Sequence, residues 1–337
     1  MNFHYSTYRL ELKHRFTIAR GSEDMVDVVL VYFTKDGFTG VGEAAPSDRY
    51  DEDALIIVKH LNSLSFDELS VNDSLDDWLD ATLPKANGMR SLEAAFDLAL
   101  HDLYGKLNNT AATDHFGADP SKACMTSFTI GIDDREKIRE KVMEAEEYPL
   151  LKVKLGSDND KEIINALRDV TDKLIRVDAN EGWDLEEGKK MCDWLAERNV
   201  EFVEQPLPAD NLDDTVKLRE YSPLELVADE NCIDSGDIPP ISDAFDGINI
   251  KLMKCGGLRE AHKMIQMARE RNMKIMLGCM VETSIAITAA AILSPLVDYA
   301  DLDGNILTSN DPFDGVKVVD GMLVLPEGSG LGVNLKE

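Results

Sequence analysis

The sequence predicts an α/β protein in which a (β/α)8, TIM-like barrel is covered by an α+β capping domain. Three observations predict this fold class. From about Cys124 onward, short β-branched runs alternate with charged stretches of helix length. The segments before and after that region carry hairpin patterns instead. No Gly-rich phosphate loop is present, which argues against a doubly wound open sheet.

The first segment, residues 1–120, is predicted to form the larger part of the cap. "YRLELKHRF" alternates polar and apolar residues, and "VDVVLVYFTKDGFTGVGEAAP" has a hairpin pattern that turns at Asp36-Gly37. Helical periodicity follows in "SLEAAFDLALHDLYGKL", with Ser91 placed to cap the helix. The tail, residues 311–337, is again hairpin-like, and we expect it to return to the first segment.

The barrel is predicted over residues 121–310. Its eight strand candidates are, in order, "CMTSFTIGI", "LLKVKLG", "LIRVDAN", "VEFVEQP", "LELVADE", "GINIKLM", "KIMLGCM" and "VDYADLD". A helix-length segment such as "REKIREKVMEAEEY" separates neighbouring runs, as alternating strands and helices of a barrel require.

The composition of the chain argues against several classes of partner and site. A formal net charge of -29 repels nucleic-acid phosphates and anionic membranes, so neither is an expected partner. The N-terminus lacks the apolar core of a signal peptide, and the apolar stretch from Ser284 is too short to span a bilayer, so we expect a cytoplasmic protein. Five cysteines without a Cys-x-x-Cys pair favour buried free thiols over disulfides or a zinc site.

Five central strands each carry a charged residue near their end. These residues are 22 to 26 residues apart, about one strand-helix unit, so they occupy equivalent places on successive strands. The carboxyl ends of the strands meet at one mouth of such a barrel, where active sites lie. A charged residue that closes a strand is ordinarily a solvated loop residue, but this repeated register favours a site built from Lys154, Asp178, Glu204, Asp229 and Lys251.

The three carboxylates in this set predict a metal site. Without a cation, Asp178, Glu204 and Asp229 would repel one another and raise one another's pKa values. Mg²⁺ takes oxygen ligands and leaves positions for water and substrate, whereas zinc would require His or Cys nearby. We therefore expect Mg²⁺, with Asn180 as a supporting group because it lies two residues after Asp178.

The lysines predict acid/base chemistry. Lys152 and Lys154 are two residues apart on one strand face, so both are expected to point into the barrel. Like charge and partial burial would lower the pKa of Lys154, which makes it a candidate base tuned by Lys152. An edge strand with two solvated lysines is the alternative, and the flanking apolar residues argue against it. Lys251, on the sixth strand, would face Lys154 across the metal, and such a pair permits inversion of a stereocentre through a metal-stabilised enolate.

Together these motifs resemble the enolase superfamily, in the branch that includes the muconate lactonizing enzymes. "LKVKLG", "VDANEGW", "VEQPLP", "ADEN" and "INIKLMKCGG" match the strand motifs of that branch in order, and the likeness covers nearly the whole chain. On the eighth strand, "ADLDGN" is similar to the dipeptide epimerases, in which an Asp-x-Asp holds the substrate's α-ammonium. This resemblance implies that role for Asp301 and Asp303, with a solvated turn as the alternative.

The resemblance implies a Mg²⁺-dependent isomerase that epimerises the C-terminal residue of a dipeptide, in a homo-oligomer that serves cell-wall peptide metabolism. An o-succinylbenzoate synthase or a cycloisomerase of the same branch is the alternative, although neither has an evident use for the two aspartates. A non-catalytic binding protein would have lost a ligand or a lysine. Members of this group that act on L-alanyl-glutamate carry an Arg near residue 20, and in this chain Glu23 aligns at that position. The replacement favours substrates with a neutral or basic C-terminal side chain. As the alternative, Arg20 would pair with a glutamyl side chain.

Overall fold

The structure, a computed structural model, describes residues 1–66 and 74–336. The cap begins with an antiparallel sheet of three strands, β1 (Asn2–Ile18), β2 (Gly21–Lys35) and β3 (Phe38–Ala44). Four helices follow, α1 (Ala54–Leu61), α2 (Leu75–Thr82), α3 (Arg90–Asn108) and α4 (Ala112–Phe116). Asp36 and Gly37 both have positive φ, at 50° and 86°, which is the geometry of a tight hairpin turn. The predicted hairpin turn is confirmed.

The long cap helix α3 is confirmed, but its predicted cap is wrong. Met89 precedes the helix, and Ser91 lies inside it. The backbone N–H groups of Arg90 and Ser91 and the Ser91 hydroxyl all donate to the carboxylate of Glu52. An acceptor from a distant loop therefore satisfies the free N–H groups of the first turn, a role that local spacing had assigned to Ser91.

The barrel contains one parallel sheet of eight strands, and each strand lies within one of the eight predicted runs. The sheet order follows the chain, and a parallel bridge between Thr126 and Ala300 joins the first strand to the eighth. The strands are β4 (Phe128–Ile130), β5 (Leu150–Lys154), β6 (Leu174–Asp178), β7 (Val200–Glu204), β8 (Glu225–Ala228), β9 (Gly247–Lys251), β10 (Lys274–Gly278) and β11 (Tyr299–Ala300). The helices are α5 (Arg135–Glu144), α6 (Asp160–Arg168), α7 (Leu185–Ala196), α8 (Leu212–Tyr221), α9 (Ile238–Ile241), α10 (Leu252–Cys255), α11 (Leu258–Glu270) and α12 (Ser284–Ile292).

The C-terminal tail forms four short strands, β12 (Phe313–Asp314), β13 (Lys317–Val319), β14 (Met322–Val324) and β15 (Asn334–Leu335). Strands β13 and β14 pair as the predicted hairpin. The tail then returns to the cap, because the Leu331 N–H donates to Asp102 of α3 at 2.9 Å. This return supports the division that we propose, with a cap from residues 1–120 and 311–337 around a barrel from 121–310.

Burial of apolar side chains holds the two parts together. One buried cluster lies within the cap, and its buried residues come from the segment that runs from Val29 to Leu103 in the sequence. A larger cluster fills the barrel and its surrounding helices and extends into the cap through Leu10, Val28 and Leu30. The five cysteines are unpaired, as predicted. Among the described residues, no helix has both the length and the apolar character that a membrane span needs.

Candidate active site

The predicted register of polar strand ends is present in the barrel. Lys154 lies opposite Asp178 on the neighbouring strand, and Asp178 lies opposite Glu204 on the next one. Asp229 directly follows β8, and Lys251 is the last residue of β9. These five side chains therefore meet at the carboxyl ends of consecutive parallel strands.

The three carboxylates form a buried cluster. Asp178, Glu204 and Asp229 each offer an oxygen, and these oxygens lie within 4.8 Å of one another. Burial and the charges of Asp178 and Asp229 raise the pKa of Glu204 to about 7. Three carboxylate oxygens without His or Cys are the donor set that Mg²⁺ prefers over zinc, so the residues present fit the predicted ion.

Buried lysines balance the charge of these carboxylates. Lys154 Nζ donates to Asp178 Oδ2 at 2.7 Å, and Lys251 Nζ donates to Asp229 Oδ2 at 2.8 Å. Lys152 Nζ lies 2.6 Å from Glu204 Oε2 and 3.2 Å from Asp178 Oδ2. Burial alone would lower the pKa of Lys152, but the surrounding carboxylates raise it well above its ordinary value. These carboxylates did not enter the prediction for the lysine pair, which considered the like charge of the neighbouring lysine and partial burial.

The same balance acts on the carboxyl groups. Burial alone would raise the pKa of Asp178, but the charges of Lys154 and Lys152 outweigh it and lower the pKa to about 2. The pKa of Asp229 likewise lies well below its ordinary value, because Lys251 and Lys254 outweigh the effect of burial. Two of the three candidate ligands are thus held as carboxylates by nearby ammonium groups.

Asp301 and Asp303 lie just beyond the eighth strand and face the same mouth of the barrel as the residues above. Asp301 accepts hydrogen bonds from Lys152 Nζ at 2.7 Å and from the Ser127 hydroxyl at 2.6 Å. Asp303 Oδ2 accepts the backbone N–H of Thr129 at 2.6 Å. Burial and the neighbouring charge of Asp301 raise the pKa of Asp303 to about 7. A cationic group near Asp303 would therefore find a carboxyl that lacks an ammonium partner among the described residues.

A cavity of about 740 Å³ opens between the barrel mouth and the cap. Its base includes both predicted proton-transfer lysines and the two Asp residues that follow the eighth strand, and its rim includes cap residues. The predicted residues on its wall are Glu23, Arg20, Asn180, Lys154, Asp229, Lys251, Asp301 and Asp303. Lys152, Asp178 and Glu204 are buried and do not line the cavity.

Asn180 supports the site in a different way from the one expected. Strand β6 ends at Asp178, and Asn180 has a positive φ of 46°, so it does not continue the strand face. Its backbone N–H donates to Asp178 Oδ1 at 2.9 Å. The supporting contact to the carboxylate is therefore made by the main chain.

Arg20 occupies the turn between β1 and β2 and is engaged by two barrel carboxylates that the sequence did not single out. Arg20 Nη2 lies 2.7 Å from Glu230 Oε1, and Nη1 lies 3.1 Å from Glu181 Oε2. Arg49, from a second cap loop, also pairs with Glu181 at 3.1 Å. Both carboxylates closely follow candidate metal ligands in "DANE" and "ADEN", and this position is the sequence signal that could have identified them.

Lys254 was also missed, although a lysine within the apolar run "LMKC" is a signal for a buried ion pair. Its ammonium donates to Asp229 Oδ1 at 2.6 Å. Asn249, on strand β9, donates to Glu204 Oε1 at 2.7 Å. Each of these contacts fixes a carboxylate of the cluster from the side away from the cavity.

Comparison with known protein families shows which proteins this chain is similar to. Residues 6–117 match the mandelate racemase/muconate lactonizing enzyme N-terminal domain, and residues 134–337 match the enolase C-terminal domain-like family. The L-Ala-D/L-Glu epimerase of Bacteroides thetaiotaomicron is 43% identical, and the match covers 99% of this chain and 88% of that protein. The L-Ala-D/L-amino acid epimerase of a Maribacter species is 38% identical over the full length of both chains.

Solved structures give the same grouping. The dipeptide epimerase from Methylococcus capsulatus, complexed with Mg and the dipeptide L-Arg-D-Lys, superposes with a TM-score of 0.91 at 29% identity and covers 98% of both chains. The dipeptide epimerase from Cytophaga hutchinsonii, complexed with Mg and D-Ala-L-Val, has a TM-score of 0.90 at 25% identity, over 99% of this chain and 95% of that one. The chain belongs to the enolase superfamily, in the group that joins mandelate racemase with the muconate lactonizing enzymes.

Proposed function

We propose that this protein is a Mg²⁺-dependent dipeptide epimerase that inverts the α-carbon of the C-terminal residue of its substrate. The observation that carries the proposal is the placement of Lys154 and Lys251 on the second and sixth of eight barrel strands, beside a buried cluster of three carboxylates. Full-length relatives with epimerase activity and structures of relatives that hold Mg and a dipeptide support it.

Each residue of the site has a role in this proposal. Asp178, Glu204 and Asp229 would hold Mg²⁺, which when bound supplies positive charge beside a substrate carboxylate. Lys154 and Lys251 reach the cavity from opposite sides of the barrel, so one amine removes the α-proton and the other returns a proton to the opposite face. Lys152 does not line the cavity, and we assign it to holding the buried carboxylates in place.

Asp301 and Asp303 would bind the substrate's α-ammonium. Both line the cavity, and both are oriented by donors of the first barrel strand region, Ser127 and Thr129. An o-succinylbenzoate synthase or cycloisomerase would act on a substrate without an ammonium group and would leave this pair without a partner. The alternative is therefore not favoured.

Charges at the rim of the cavity support a neutral or basic C-terminal side chain. Glu23 faces the cavity, and burial together with the nearby charge of Asp48 raises its pKa. The two arginines nearby are engaged elsewhere, because Arg20 pairs with Glu230 and Arg49 pairs with Glu181. The acidic groups at this rim would repel a glutamyl carboxylate, whereas they would attract a lysyl or arginyl side chain.

A panel of L-Ala-L-Xaa dipeptides in D₂O with Mg²⁺ tests the proposal, because each processed dipeptide gains about one mass unit at its α-carbon. We expect Lys154→Ala to abolish exchange from one epimer and epimerisation from both.

We expect Glu23→Arg to shift kcat/KM from L-Ala-L-Lys toward L-Ala-L-Glu by about fivefold or more. An exposed ion pair contributes about 0.2–1 kcal/mol, and the substitution turns attraction for a lysyl side chain into repulsion and repulsion of a glutamyl side chain into attraction. Asp24→Arg is the matched control, because Asp24 does not line the cavity.

Two results would contradict the proposal. Absence of exchange in every dipeptide of the panel would remove the epimerase activity. A wild-type preference of tenfold or more for L-Ala-L-Glu would remove the assignment of side-chain specificity and leave the reaction intact.

We also propose that the chain forms a homo-oligomer. Val319, Met322 and Val324 lie on the outward face of the β13–β14 hairpin and are 54%, 40% and 47% exposed. An apolar face of this kind is typical of a protein–protein contact. Sedimentation velocity on the wild type and on Val319→Lys would test it, with a shift to monomer expected for the variant. The cytoplasmic location and the role in cell-wall peptide metabolism stay predictions.

A further inference from the structure

Two of the four lysines around the carboxylate cluster do not line the cavity. Lys154 and Lys251 line the cavity, whereas Lys152 and Lys254 do not. Both of the latter residues are 1% exposed. Lys254 lies in α10, the single turn that follows strand β9, and has no part in the proton transfer described above.

The Lys254 ammonium is fully surrounded by oxygen acceptors. It donates to Asp229 Oδ1 and to the Asp229 backbone oxygen, each at 2.6 Å. It also donates to the backbone oxygen of Cys232 at 2.9 Å and to that of Asn249 at 3.0 Å. Three N–H bonds thus face four acceptors, and this arrangement fixes the side chain and the main chain of Asp229 from one point.

The two oxygens of the Asp229 carboxylate have different partners. Oδ1 is bound by Lys254, and Oδ2 is bound by Lys251 at 2.8 Å. A lysine that takes part in proton transfer must leave its carboxylate partner when it reaches toward the α-carbon. A buried carboxylate that loses its only cation is strongly destabilised. The fixed contact from Lys254 would keep Asp229 paired throughout that movement.

We propose that Lys254 is a positioning residue that holds Asp229 in its metal-binding orientation and supplies the permanent counter-charge that frees Lys251 for proton transfer. The inference rests on the proposed function, since it takes Asp229 as a Mg²⁺ ligand and Lys251 as one of the two acid/base groups. It assigns the four lysines to two pairs. Lys152 and Lys254 compensate charge, and Lys154 and Lys251 move protons.

Two variants of Lys254 separate charge from packing. Lys254→Met keeps the apolar stem and removes every donor, whereas Lys254→Gln removes the charge but keeps amide N–H donors on a shorter side chain. Lys263→Met is the matched control, because the Lys263 side chain is 59% exposed on helix α11. Circular dichroism and thermal unfolding establish which variants fold.

Titration with Mg²⁺ by calorimetry, with Mn²⁺ as a paramagnetic probe, measures the positioning role without substrate. We expect both Lys254 variants to lose about 10- to 100-fold in metal affinity, as is typical when a partner of a metal ligand is removed. We expect the Lys263 variant to match the wild type. Failure of the wild type to bind Mg²⁺ would count against the proposed function, whereas unchanged affinity in a folded Lys254 variant would overturn this inference alone.

The second measurement separates positioning from a general loss of structure. At saturating Mg²⁺, deuterium exchange is followed from each epimer of one dipeptide. We expect exchange from the epimer that Lys251 serves to slow by about tenfold more than exchange from the epimer that Lys154 serves, because Lys251 becomes the only ammonium partner of Asp229 and is held there. Equal slowing of both exchanges, or failure of both variants to fold, would assign Lys254 to the fold and overturn the proposal.

Discussion

The pairing of Arg20 with Glu230 gives a strong test of how the cap is fixed to the barrel. The Glu230 side chain is 1% exposed and the Arg20 side chain is 34% exposed, with 2.7 Å between Nη2 and Oε1. Removal of one partner of a buried pair costs about 3–5 kcal/mol because the other charge stays buried. Since a third of Arg20 is in solvent, water can partly replace it, and we expect Arg20→Met to lower the free energy of unfolding by about 2–3 kcal/mol.

Glu230→Gln and the double variant complete a double-mutant cycle, measured by urea unfolding with Mg²⁺ present throughout. We expect a coupling energy of about 2 kcal/mol, because the double variant leaves no unpaired buried charge. Burial and the charge of Asp229 raise the pKa of Glu230, so the penalty in Arg20→Met is present when Glu230 is ionised and is lost as the pH falls through that pKa.

Arg15→Met is the matched control on the same hairpin. Arg15 lies 4.0 Å from Asp24, and both side chains are more than half exposed, so this pair should contribute less than about 0.5 kcal/mol. A coupling energy for Arg20 and Glu230 no larger than that of the control pair would refute the reasoning. If Arg20 instead pairs with a glutamyl substrate, Arg20→Met would selectively impair turnover of L-Ala-L-Glu and leave the unfolding energy unchanged.

Two further predictions concern contacts between the cap and the barrel. Glu43 of β3 accepts the backbone N–H of Thr283 at 2.8 Å, and burial raises the pKa of this carboxyl group to about 7. Between pH 4.5 and 7 the unfolded state therefore ionises first, and wild-type stability falls as the pH rises. Across that window, Glu43→Gln should gain up to about 3 kcal/mol relative to wild type in thermal unfolding. The Glu197→Gln control, whose side chain is 82% exposed, should show no such trend, and a parallel pH profile for Glu43→Gln would contradict the assignment. Gly257→Ala should lower stability by about 2–4 kcal/mol in urea, because φ is +118° and the added Cβ would lie 2.5 Å from Asp97 Cβ. Gly21→Ala, which meets nothing within 4 Å, is the control, and equal stability of the two variants would show that α3 can move away from the Gly256-Gly257 turn.

The sequence predicted the barrel and the charged strand ends because both are set by short-range patterns. A strand run followed by a helix-length segment defines one strand-helix repeat of the barrel. A charged residue that recurs once per repeat, at the end of each strand, must lie at one end of the sheet. Lys154, Asp178 and Glu204 are direct register partners for this reason alone. The same reasoning predicted Asp301 and Asp303 as a pair on one strand face, but both lie just beyond the short strand β11.

What the sequence did not predict depends on partners that are far apart in the chain. Glu52 caps α3 from a loop 38 residues before Arg90. Arg20 meets Glu181 after 161 residues, and Lys254 meets Asp229 after 25. A helix start or a lysine in an apolar run shows that a buried polar group needs a partner, but only the tertiary packing decides which partner it has.

The contacts around the cavity connect the cap to the segments that carry the candidate metal ligands. Asp178 is followed by Asn180 and Glu181, and Asp229 is followed by Glu230. The backbone of Asn180 and the carboxylates of Glu181 and Glu230 are the groups that Arg20 contacts from the cap hairpin. Movement of that hairpin would therefore act on chain segments one to three residues from two candidate ligands. Arg20 is engaged by Glu181 and Glu230, so under the proposed function it is not the partner of a substrate carboxylate. We therefore expect one residue to influence both how the cap is fixed and which substrate side chain is preferred.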